Sequence, residues 1–194
     1  MEQDKIFSEK KAVSVFIDSD TIYLRTLTQE GDFSEYESWL NDQENTTYMG
    51  SGRFPVTEMA LKKYVDDFSK NQNGILTGIF HKSCDKHIGN ITLQQIDWRN
   101  RNGEIGIIVG DKEQWGKGYA TKAIRLIAAH AFNRLNLHKL CAGVIAGNEG
   151  SRKAFEKAGF QLEGTLRQSF YLNDEYLDCY RMGLLKNEFT EEKN

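Results

Sequence analysis

The sequence predicts one domain of the α/β (α+β) class, with a mixed, largely antiparallel sheet flanked by helices. Three observations carry this. The 194 residues are 39% hydrophobic, enough for one sizeable core. The apolar patterns run as strands, two helices and a three-strand meander, then strand, helix, strand, helix and two strands. No repeat, low-complexity tract or proline-rich linker divides the chain, whose one proline is Pro55.

Residues 1–11 are expected to form a flexible tail ahead of a domain over 12–190. AVSVFID (12–18) and TIYLRTLT (21–28) read as strands around a Ser19-Asp20 turn. In 32–42, Phe33, Tyr36, Trp39 and Leu40 fall at helical spacing. Thr57 suits the N-cap of a helix over 58–70 whose apolar residues are Met59, Leu61, Tyr64, Val65 and Phe68. Strands over 74–82, 87–98 and 103–110 follow, with Asp85-Lys86 and Arg99–Asn102 in the turns. From Gly118 to Leu135, Ala120, Ile124, Ile127, Ala128, Ala131, Phe132 and Leu135 share one helix face. A buried strand over 138–146, a short helix over 151–159 and a strand pair over 160–172 and 175–185, turning at Asn173-Asp174, complete the chain.

Composition excludes several function classes. With 25 Lys+Arg against 28 Asp+Glu the net charge is −3, not the basic excess of a nucleic-acid binder. No apolar run approaches the roughly 18 residues of a membrane span. The start MEQDKIFSEKK is too polar for a signal peptide, so the cytoplasm is the expected location. Cys84, Cys141 and Cys179 are odd in number and widely spaced, against a disulfide framework or zinc site. His81, His87, His130 and His138 show no metal-ligand spacing, and no metal is expected. The apolar edge of the last strands leaves monomer and homodimer both open.

Ten of the 17 glycines lie between Gly103 and Gly164. Within that window GEIGIIVGDKEQWGKGYATKAI reads as strand, glycine-containing loop and helix. Gly116 and Gly118 let backbone amides face outward where the helix begins. Unpaired N–H groups and the positive end of the helix dipole make an anion site there, to which Lys117 and Lys122 could add charge. A plain turn is the alternative reading.

QWGKGYATKAI, followed from Asn148 by NEGSRKAFEKAGFQLEGTLRQ, resembles the GNAT acyltransferase superfamily and its RimJ/RimL-type branch. The resemblance implies a twisted GNAT sheet, acetyl-CoA as co-substrate and N-acetylation of an amine. It places the coenzyme A pyrophosphate on the amides of Trp115, Gly116, Lys117, Gly118, Tyr119 and Ala120. It lays the pantetheine arm along Ile107, Ile108 and Val109, and sets Asn148 and Ser151 at the thiol end. Asn148 equally suits a helix N-cap.

Acyl transfer to an alkyl amine, which titrates near ~10.4, needs a proton acceptor, an oxyanion donor and a proton for the departing thiolate. By resemblance the oxyanion donor is a backbone N–H near Ile108 or Val109. Glu104, at the start of that strand, is the candidate base, directly or through water. Many members carry a tyrosine acid where this chain has Phe155, so Ser151 becomes the candidate acid. RimL-type enzymes place a glutamate before the Tyr171-Leu172-Asn173 segment, whereas this chain has Phe170.

The acceptor is expected beside the N-terminal helices and the last strand pair. Glu30 to Glu44 contains six carboxylates and no Lys or Arg, suited to a polyamine or basic peptide, or simply to a solvated helix face. Tyr48, Arg53 and Phe54 suit a pocket, and an arginine with an aromatic fits a sugar nucleotide. The segments SGRFPVT and HIGNITLQQIDWRNRNGEIGI resemble GNAT members of amino-sugar modification. An amino sugar or other small amine and a protein N-terminus both remain acceptors. A non-catalytic acyl-CoA sensor, or a scaffold for another phosphate ligand, is the alternative outside catalysis.

Overall fold

The computed structural model describes residues 15–70 and 73–190, so the expected tail (1–11) and the first part of the 12–18 strand lie outside the described residues. The elements in chain order are β1 (Val15–Asp18), β2 (Ile22–Thr26), α1 (Ser34–Asn41), α2 (Gln43–Thr46), α3 (Glu58–Lys70), β3 (Ile75–His81), β4 (Lys86–Asp97) and β5 (Asn102–Val109). A 3-10 turn (Lys112–Gln114) leads to α4 (Tyr119–Asn133), β6 (Lys139–Ile145), α5 (Glu149–Lys157), β7 (Gln161–Leu172) and β8 (Glu175–Leu185). All eight strands form one sheet in the order β1-β2-β3-β4-β5-β6-β8-β7. The β5–β6 pair is parallel, as a strand–helix–strand crossover requires, and the other pairs are antiparallel.

Local chemistry explains the connections. Asn173 (φ 50) and Asp174 (φ 64) both take left-handed backbone, the geometry of a two-residue hairpin turn whose twist matches its strands. Asp85 (φ 56) and Arg101 (φ 55) lie in the turns of the β3–β4 and β4–β5 hairpins. Two further features go beyond the expected elements. Helix α5 begins at Glu149 because Asn148 caps it, and one-turn α2 forms because the Asp42 side chain accepts the Asn45 N–H at 3.0 Å.

Two cores sandwich the sheet. On one side Ala123, Ile124, Ile127, Ala128 and Ala131 of α4 pack, fully buried, on Ile79, Ile91, Ile105 and Leu140. Each such isoleucine contributes about 1.5–3 kcal/mol relative to exposure. On the other side α1 and α3 bring Tyr36, Trp39, Leu40, Leu61 and Val65 onto Leu76 and Ile108. Strand β5 therefore alternates, with Ile105 and Ile107 toward α4 and Ile108 toward α1. A Cβ at Gly110 would overlap the Trp39 ring, so α1 docks on bare backbone at the end of β5. No helix among the described residues is long and apolar enough to cross a membrane.

Candidate active site

Strands β5 and β6 pair over three positions only, Asn102 with Lys139, Gly103 with Leu140 and Glu104 with Cys141. Past Glu104 they part, although β5 runs on to Val109 and β6 to Ile145. The other edge of β5 stays paired to β4. Gly110 donates to the Ile88 carbonyl at 3.0 Å, directly opposite it in the register that pairs Ile108 with Asn90. By ladder alternation Ile108 turns its backbone groups to Asn90, while Ile107 and Val109 turn theirs toward the gap left by β6. Of the three strand residues expected along the cofactor arm, two thus face the cleft, and the backbone of Ile108 does not. The oxyanion donor expected near Ile108 or Val109 narrows in the same way to Val109. The Val109 carbonyl is itself taken by the Trp115 indole N–H at 2.6 Å.

The loop after β5 is anchored by Asp111, which is 8% exposed. Burial raises its pKa, but bonds from Lys86, Gln114 and the Glu113 N–H outweigh that and hold it below the ordinary carboxylate range. Gly116 (φ 74) and Gly118 (φ 86) both take left-handed backbone, and a Cβ on either would meet nothing within 4 Å. Lys122 is the first α4 residue whose N–H reaches a carbonyl of its own helix, that of Gly118 at 3.0 Å. The N–H groups of Tyr119, Ala120 and Thr121 are left for another acceptor. Open glycine backbone, free donors and the positive helix end together fit a diphosphate. Trp115 departs from the expected amide run, since its N–H donates to the Lys112 carbonyl at 3.1 Å. Lys117 is exposed at this loop. Lys122 is drawn away, its ammonium held by Asp20 at 2.6 Å and Thr21 at 2.9 Å. Tyr119 is tied down by its hydroxyl, 2.8 Å from His81 Nε2.

On the β6 side of the gap, Asn148 accepts the Ser151 N–H at 3.1 Å, so it does serve as an N-cap. The Ser151 hydroxyl takes no partner among the described residues. Phe155 is buried against Phe160 in the core. Tyr48 reaches this end of the cleft, for a Cβ at Gly147 would lie 3.1 Å from its hydroxyl. The Arg53 guanidinium lies 5.9 Å from the Phe170 ring on the β7–β8 hairpin, the strand pair beside which the acceptor is expected, and Phe54 is 82% exposed. Two of the six acidic residues between Glu30 and Glu44 are engaged as well. Lys112 binds Asp42 at 2.8 Å and Glu44 at 2.7 Å, which pulls the Asp42 carboxyl below its ordinary value.

Glu104 stands where β5 and β6 part, its Oε2 accepting from Arg181 of β8 at 2.8 Å. That bond raises the guanidinium pKa further. The sequence reading did not find Arg181. No local sequence signal marks it, because its place opposite Gly143 depends on β8 pairing with β6. Cys141 and Cys179 lie on the same face, and burial pushes both thiols up, which disfavours the thiolate a nucleophile needs. The cleft therefore suits direct attack by an amine better than a cysteine-bound acyl group.

Known proteins share this arrangement. The profile of the acetyltransferase (GNAT) domain matches residues 21–161. The N-acetyltransferase p20 of Bacillus licheniformis is 30% identical over 88% of this chain and 99% of its own. YdaF of Bacillus subtilis, named as a proposed ribosomal N-acetyltransferase, is 34% identical over 80% of each chain. The spermidine N-acetyltransferase of Vibrio cholerae, solved in complex with CoA and spermine, superposes with a TM-score of 0.77. It is 26% identical, with 86% of this chain and 96% of that one covered. The parted strands, the glycine loop and these relatives converge: the chain belongs to the GNAT acetyltransferase family, whose members are N-acetyltransferases that use acetyl-CoA.

Proposed function

We propose that this protein transfers the acetyl group of acetyl-CoA to a small primary amine by direct attack. The observation that carries this is the parting of β5 and β6 with Glu104 at its apex. Acetyl-CoA supplies an acyl group already activated as a thioester. The amides from Gly116 to Thr121, with Lys117, hold its diphosphate, and the free backbone edge of Ile107 and Val109 aligns the arm in the gap. The Val109 N–H faces the carbonyl oxygen that gains charge. Glu104 draws in the ammonium and takes its proton, directly or through a water, and the unpartnered Ser151 hydroxyl donates to the departing thiolate while the second proton, from the nitrogen of the new C–N bond, restores the hydroxyl. Three free cysteines, with Cys84 exposed, suit a reducing compartment, and we place the reaction in the cytoplasm.

A polyamine is the acceptor class best supported. Among the described residues Glu30, Asp32, Glu35 and Glu37 form no salt bridge with Lys or Arg, and they remain to attract a cation. The similarity to the spermidine enzyme points the same way. A protein N-terminus is the second reading, favoured by the similarity to YdaF. Amine-dependent release of thiol from acetyl-CoA, measured with spermidine, glucosamine and a peptide with a free N-terminus, separates them. Spermidine should give the highest kcat/KM. Release with the peptide alone would establish the second reading, and the absence of release with every amine would leave an acyl-CoA sensor.

A further inference from the structure

On the face of the sheet that carries Glu104, two ion pairs each reach across a whole strand. Glu104 on β5 meets Arg181 on β8 over the intervening β6, and Lys139 on β6 meets Glu163 on β7 over the intervening β8 at 2.7 Å. A glycine sits under each crossing. A Cβ at Gly143 would stand 3.2 Å from Arg181 Nη1, and one at Gly183 would overlap the Glu163 carboxylate. Glycine in a strand interior weakens the strand, so clearing these paths costs stability. The Glu104–Arg181 pair contributes little in return. Its side chains are 24% and 36% exposed, and partly solvated pairs are worth at most about 1 kcal/mol. Fold stability does not account for the arrangement.

The location does. The guanidinium takes only Oε2, which leaves Oε1 for the incoming amine or a bridging water. A glutamate on a strand end, exposed to solvent, would otherwise sample several rotamers and seldom present that oxygen to the gap. Neighbouring side chains on this face include Gln94, opposite Glu104 on β4, together with Cys141, Cys179, Lys139 and Glu163, and among the described residues none of them bonds to the Glu104 carboxylate.

We infer that Arg181 is a positioning residue, which reaches across β6 over Gly143 to hold the Glu104 carboxylate in line with the acyl-transfer gap. This rests on the proposed role of Glu104, and the two can fail separately. Initial rates of thiol release are measured, with the amine that the acceptor panel selects, for the wild type, Glu104→Gln, Arg181→Met, the double variant and Arg181→Lys. Coenzyme A calorimetry on each variant checks that the cofactor site is intact.

Arg181→Met should lower kcat about tenfold, the scale of a lost alignment, with the KM for acetyl-CoA unchanged. Arg181→Lys, which keeps one donor, should recover most of that loss. In the Glu104→Gln background Arg181→Met should change kcat by less than roughly twofold, because residues acting through one group are not additive. The same tenfold loss in both backgrounds would overturn the inference, since Arg181 would then act without Glu104. A Glu104→Gln variant at full rate would overturn the role of Glu104 itself. No release by the wild type with any amine would overturn both.

Discussion

Gly118→Glu raises the dissociation constant for coenzyme A by about a hundredfold or more. The position is the N-cap of α4, with φ 86 and open space on the side where a side chain would project. A carboxylate there would stand among the free N–H groups of the first turn, take their bonds and repel a diphosphate. Two unit charges about 4 Å apart interact by roughly 1 kcal/mol in bulk water and by about 4 kcal/mol at an effective dielectric near 20. A hundredfold is about 2.7 kcal/mol, between these limits. The left-handed backbone adds about 1–2 kcal/mol for any residue with a side chain, a cost felt mainly in folding. Gly118→Ala isolates that cost, and by calorimetry it should weaken coenzyme A by less than tenfold. Equal losses in both variants would assign the effect to backbone strain and not to the anion site.

Glu104→Gln lowers kcat/KM for the amine by about a hundredfold, the low end of what a positioned proton acceptor supplies. Glutamine fits the same space and still accepts a bond from Arg181, so packing changes little. It neither attracts an ammonium nor takes its proton. Coenzyme A affinity should stay at the wild-type value, because Glu104 lies at the apex of the gap and the diphosphate loop beyond its open end. Stopped-flow thiol release with calorimetry on the same sample measures both quantities.

Much of this architecture was legible in the chain. The α4 pattern was readable because alanines and isoleucines recur at helical period over four turns, and Ile124, Ile127, Ala128 and Ala131 of the expected face are fully buried, with Ala120 partly so. Gly116 and Gly118 were readable because glycine before a helix marks left-handed backbone, which both adopt. Contacts set by the third dimension were not. Arg181 and Glu104 are 77 residues apart, and their meeting depends on β8 inserting between β6 and β7. Lys122 looked like a phosphate ligand from its place on α4, yet the β1–β2 turn passes close enough for Asp20 to claim it. Ile108 looked equivalent to Ile107 and Val109 along an apolar strand. Only the ladder to β4 shows that its backbone faces the other way. Local period is written in sequence neighbours, whereas pairing across the sheet is decided by topology.

The account rests on one placement, the thioester arm in the gap between β5 and β6 with its diphosphate on the α4 N-terminus. Amide hydrogen exchange, resolved by residue with and without coenzyme A, tests it most directly. Binding should slow exchange at Ile107, Val109 and the amides from Gly116 to Thr121, and leave Ile108, already bonded to β4, unchanged. Protection that appears elsewhere while Ile107, Val109 and the glycine loop exchange as before would contradict it.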